Sequence, residues 1–141
     1  MNIDNELPLQ GSLIKACSNG LLNVVKTLLQ DERVNPANSE AIITACEYGH
    51  VEVVKLLLQD SRVDPTADGN SAIIVACENG YADVVEELLQ DGRADPTVAG
   101  SDPLRRASQN GYIKVVKMLL QDGRVEPMMW AIRNGRVEPM M

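Results

Sequence analysis

One phrase, written four times at a period of about thirty-one residues, constrains this chain more than any other feature. Turn glycines recur at Gly20, Gly49, Gly80 and Gly111, spaced by 29, 31 and 31 residues. Four positions after each comes a valine pair: Val24-Val25, Val53-Val54, Val84-Val85 and Val115-Val116. Each pair leads into Leu-Leu-Gln-Asp, ending at Asp31, Asp60, Asp91 and Asp122. Then follow Arg33-Val34-Asn35-Pro36, Arg62-Val63-Asp64-Pro65, Arg93-Ala94-Asp95-Pro96 and Arg124-Val125-Glu126-Pro127. Self-similarity at such a period means one supersecondary unit stacked on copies of itself.

The clearest copy runs over 71–96 and carries two helical patterns. Val84, Val85, Leu88 and Leu89 fall at i, i+1, i+4 and i+5, which is one face of an α-helix. Over 71–79 the apolar face is Ile73, Ile74, Ala76 and Cys77, with Ser71 as the expected N-cap and Gly80 as the left-handed stop. Asp64-Pro65 and Asp95-Pro96 are expected to end the second helix, because proline disfavours helical geometry in the residue before it. Helices of about nine residues are not stable alone in water. They hold only by packing on each other and on the next unit. The expected fold is therefore all-α, a helix-turn-helix solenoid with short loops or hairpins between units. It forms one domain over 1–141, with units near 11–38, 39–69, 70–100 and 101–127.

The ends differ from the middle. Residues 1–10 lack the repeat, and the first helix pair is expected over 13–31. At the other end 123–129 is identical to 135–141, twelve residues later. Residues 129–135 align with the first helix of a fifth unit, so 128–141 reads as a half-unit covering the last apolar face. The other reading is a truncation or slippage product with a sticky Met-Met tail.

Composition narrows the class further. With no Phe, one Trp and three Tyr, the core must be built from Leu, Val, Ile and Ala. A net charge of −7 argues against a phosphate-binding surface, so no nucleic-acid partner is expected. The charge is uneven: residues 1–102 hold 6 Lys and Arg against 17 Asp and Glu, net −11, while 103–141 hold 7 against 3, net +4. The start lacks the basic and apolar regions of a signal peptide, and no apolar run approaches the ~20 residues that span a bilayer. A cytosolic or nuclear location without membrane contact is expected.

Residues that could carry chemistry are absorbed by the repeat. Cys17, Cys46 and Cys77 occupy one equivalent position in successive units. Stacked helices lie ~8–10 Å apart, beyond the ~7 Å Cα limit of a disulfide. No Cys-x-x-Cys or nearby His completes a zinc site, so core thiols and no metal are expected. His50 is the single His, and its place is taken by Leu21, Tyr81 and Tyr112 in the sister units, which points to packing or capping. The glycines form neither a GxGxxG nor a Walker pattern. Glu86-Glu87 lie on the outer face of a second helix, where solvation is the default. No enzyme constellation and no cofactor are expected.

The residues Gly-His-Val-Glu-Val-Val-Lys-Leu-Leu-Leu at 49–58 resemble the second-helix signature of ankyrin repeats. Ala45-Cys46, Ala76-Cys77 and Ala107-Ser108 sit where that family has its Ala-Ala pair. The resemblance covers roughly 11–134. It departs at the first helix, where the family's Thr-Pro-Leu-His is Glu40-Ala-Ile-Ile, Ser71-Ala-Ile-Ile and Asp102-Pro-Leu-Arg. The period is also near 31 rather than ~33. The loop shrinks as well, with seven residues from Pro65 to Ala72 and five from Pro36 to Ala41.

The resemblance implies that first helices and loop tips line a concave side and second helices form a convex back. On that geometry the first-helix positions free of the core are Thr44 and Glu47, Val75 and Glu78, and Arg106 and Gln109. The loop positions are Asn38 and Ser39, Asp68 and Asn70, and Ser101 and Asp102. These twelve residues are the expected contact set for a protein or peptide partner, bound by a monomer without catalysis. Arg105 is expected at a core edge, reaching to solvent. Arg106 is expected in the groove, making it acidic at Glu47 and Glu78 and basic at the other end. The alternative function is a structural spacer or self-associating unit acting through Met128, Met129, Trp130, Met140 and Met141.

Overall fold

The computed structural model describes residues 3–125, with side chains from residue 9 onward. The expected half-unit at 128–141 and its methionine-rich end lie outside the described residues. Eight helices follow one another: α1 (Ile3–Asn19), α2 (Leu22–Leu29), α3 (Glu40–Glu47), α4 (Val51–Gln59), α5 (Ala67–Asn79), α6 (Ala82–Asp91), α7 (Val98–Gln109) and α8 (Ile113–Gln121). Among the described residues there is no strand, so the segments between units are turns rather than β-hairpins. Each odd-numbered helix packs on the even-numbered helix that follows it. The odd helices also stack α1 on α3, α3 on α5 and α5 on α7, and the even helices stack in the same order. The result is two parallel rows, with the closest packing between first helices.

The core lies between the rows and repeats with the sequence. Leu13, Ile42, Ile73 and Leu104 are fully buried at one equivalent place in the first helices. Val54, Val85, Leu57, Leu88 and Leu119 are buried in the second. The first valine of each pair reports the stacking. Val53, Val84 and Val115 are buried, each with a preceding second helix against it, whereas Val24 in α2 is 45% exposed. Cys17, Cys46 and Cys77 are free thiols in this core. Burial pushes Cys17 and Cys77 up to about 12 and raises Cys46 as well, keeping all three as protonated apolar groups.

Three boundaries differ from expectation. First, α1 begins at Ile3, so its helix extends well ahead of the repeat. Second, α4 and α6 stop at Gln59 and Asp91, four residues or more before the prolines. An Asp-x-Arg clip at the end of each second helix takes that place instead. In Asp60, Oδ1 accepts the Arg62 backbone N–H at 3.0 Å and Nε at 2.9 Å, and Oδ2 accepts Nη2 at 2.7 Å. Asp91–Arg93 and Asp122–Arg124 make the same fork. Each arginine then reaches back one unit. Arg62 donates to Leu29 O at 2.9 Å, Arg93 to Leu58 O at 3.0 Å and Val63 O at 3.1 Å, and Arg124 to Ala94 O at 2.9 Å. Leu29 O and Leu58 O belong to the last turn of a helix, where carbonyls lack intrahelical partners. The arginine supplies donors and a positive charge at the favourable pole of the helix dipole.

Third, the N-cap role expected for Ser71 is replaced by a left-handed turn. Asp68, Gly69 and Asn70 have φ of 54°, 66° and 63°, and Ser71 Oγ donates to Asp68 O at 2.6 Å to brace them. Ala99, Gly100 and Ser101 repeat the turn in the fourth unit, with φ of 51°, 67° and 66°. Right-handed helix resumes after it, with Pro103 in the first turn, where its missing N–H costs nothing. The loop at 36–40 is two residues shorter and has no such turn.

Candidate functional site

The first-helix row carries Thr44 and Glu47 on α3, Val75 and Glu78 on α5, and Arg106 and Gln109 on α7, at equivalent positions. Glu47, Glu78 and Gln109 are exposed, while Thr44, Val75 and Arg106 are half-buried. Val75 also packs against the core. The row therefore brings these six residues onto one face.

The loop residues serve the scaffold more than expected. Asn38 Oδ1 accepts the Glu40 backbone N–H at 3.0 Å. Ser39 Oγ donates to Asp68 Oδ2 at 2.6 Å, tying the loop before α3 to the left-handed turn in α5. Asn70 Oδ1 accepts the Asp95 backbone N–H at 2.9 Å, joining the turn in α5 to the loop before α7. Ser101 lies inside the left-handed turn, its N–H donated to Thr97 O at 3.0 Å.

Asp102 organises the fourth unit. Its Oδ1 accepts Arg105 Nη2 at 2.9 Å and its Oδ2 accepts Arg106 Nε at 2.7 Å. Arg106 Nη1 donates across the stack to Glu78 Oε2 at 2.8 Å. Arg105 also donates to Ala99 O and Gly100 O, so it braces the left-handed turn as Ser71 does in the third unit. Arg105 stands half-buried, with its guanidinium in partly exposed local hydrogen bonds. The expected basic end of the groove is corrected. Arg106 is held between two carboxylates, which cancels its charge at short range.

Glu47 lies in a different setting. Among the described residues its carboxylate enters no ion pair, and neither does that of Glu40. Both border an open depression of about 610 Å³ between α1 and α3, with Ile14, Lys15, Thr44 and Tyr48 among its walls. Tyr48 is 52% exposed, more than Tyr81 at 37% or Tyr112 at 36%. Tyr48 is absent from the expected contact set. Its signal was available, since the residue before each turn glycine is Asn19, Asn79 or Asn110 in the other units.

His50 packs as expected. Its ring lies over Gly20 of the preceding unit, and Nε2 donates to Ser18 O at 2.8 Å. Tyr81 covers Gly49 and Tyr112 covers Gly80 in the same way. Among the described residues no group of three His, Cys, Asp or Glu side chains could hold a metal ion, and no helix is long and apolar enough to cross a membrane.

Stacked helix pairs, left-handed glycine turns and a row of varied residues on a constant frame define a helical-repeat solenoid. The family described as Ankyrin repeats (3 copies) matches over residues 13–99 and 61–127, and the chain belongs to it. No curated protein matches the chain. Ankyrin repeats are in general protein–protein interaction modules and typically non-enzymatic.

Proposed function

We propose that this chain is a non-catalytic adaptor that binds a protein or peptide as a monomer through its first-helix face. The observation that carries the reading is the contrast between frame and face. Core, turn glycines and Asp-x-Arg clips repeat almost unchanged, while Thr44, Val75 and Arg106 differ in charge and size at one equivalent position and Gln109 stands where the preceding units have Glu47 and Glu78. Extended faces of stacked repeats offer such positions in a row. Three buried free thiols are in keeping with a reducing compartment, the cytosol or nucleus. The test compares capture from source-cell lysate by the intact chain, by Thr44→Arg/Gln109→Arg, and by Glu52→Lys/Glu86→Lys on the second-helix face. The reading expects a protein retained by the intact chain and by the second-helix variant but lost from the first-helix variant. Loss from the second-helix variant alone would overturn it.

A further inference from the structure

The units differ in how they close the joint between neighbouring first helices. Asn79 Nδ2 donates to Glu47 O at 3.3 Å and Asn110 Nδ2 to Glu78 O at 3.0 Å, each clipping the preceding first helix near its end. The corresponding carbonyl below the second unit is Ser18 O. There the donor is His50 Nε2, from two residues further along. Because His50 makes the clip, position 48 is released from the task that fixes asparagine in the next two units. A tyrosine occupies it and stands in solvent at the rim of the α1–α3 depression.

We infer that Tyr48 and Glu47 form a subsite for an arginine side chain of a peptide lying across the first-helix face, an inference that rests on the function proposed above. The ring offers a π-face to a cation, and a planar guanidinium stacks on it better than an ammonium does. Glu47 supplies a carboxylate that no described cation claims, whereas its counterpart Glu78 is held by Arg106. Ile14 gives an apolar wall for the aliphatic stem. Across the depression Glu40 and Glu47 outweigh Lys15, so the lining is complementary to a basic partner and not to an acidic one.

The test selects a random peptide library on the intact chain. Recovered peptides are then measured against the chain and its Tyr48→Asn, Glu47→Gln and Thr44→Arg/Gln109→Arg variants. Tyr48→Asn installs the sister units' residue and is expected to keep the helical circular dichroism and melting temperature. The inference expects peptides enriched in arginine, binding about tenfold or more weakly to Tyr48→Asn and to Glu47→Gln, and weakening with added salt. Arginine-poor peptides, or equal binding to Tyr48→Asn, would overturn the subsite. If those peptides still lose affinity for Thr44→Arg/Gln109→Arg, the first-helix reading survives without it. Peptides indifferent to all three variants, or a library from which none is recovered, count against both.

Discussion

Gly80 meets two constraints at once. Its φ of +77° lies in the left-handed region, and a Cβ there would come within 2.6 Å of Tyr112 Cδ1 in the next unit. Gly111 has nearly the same φ, +78°, and among the described residues nothing lies within 4 Å of its Cβ position. The pair separates backbone strain from the ring-on-glycine contact. Gly111→Ala is expected to cost about 1–2 kcal/mol, the left-handed penalty alone. Gly80→Ala is expected to cost at least ~1 kcal/mol more, because the ring must move off its neighbour. Equal losses in urea unfolding would mean that the rings contribute nothing to the joint. Residue identities of this kind were half legible. The period marked the glycines and assigned Cys46 and His50 to packing. It did not say that His50 covers Gly20, because contacts between units are invisible to a pattern read along one unit. Tyr48 was overlooked for the opposite reason: its signal is a departure from the pattern.

At the scale of the element, the second helices were legible from valine and leucine spacing, and their ends were not. Proline is the stop the sequence suggests, yet the Asp-x-Arg clip ends the helix ahead of Asp64-Pro65 and Asp95-Pro96. The clip was in plain sight as part of the repeat, but its function needs a carbonyl from the preceding unit. It also has a pH signature. Hydrogen bonds from the neighbouring arginines lower Asp31 to about 2 and also lower Asp60, Asp91 and Asp122. Thr66 and Thr97 do the same for Asp64 and Asp95. Carboxylates depressed on folding contribute stability above their unfolded value of ~3.9, and that contribution is lost as pH falls through the folded values. These groups are expected to leave the melting temperature level from pH 7 to about 5 and to make it fall steeply between about pH 4 and 2. A melting temperature as high at pH 2.5 as at pH 7 would show that the clips carry no stability.

For the whole molecule, the stack followed from the period, since helices this short have no other way to bury an apolar face. The charge pattern did not carry over so directly. Arg105 and Arg106 read as a basic end because the sequence shows their charge without their partners. Asp102 and Glu78 absorb that charge once the units are stacked. On the first-helix row the carboxylates of Glu47 and Glu40 enter no ion pair among the described residues, and this shifts the weight of the proposed contact face toward α1 and α3. The central claim is that partners meet the first-helix row. It is tested most directly by placing a photo-cross-linking residue at Thr44 or Gln109, and at Glu52 or Glu86 on the opposite row, then irradiating each chain in source-cell lysate. The account predicts a discrete adduct from the first pair and none from the second. Adducts from Glu52 or Glu86 alone would contradict it.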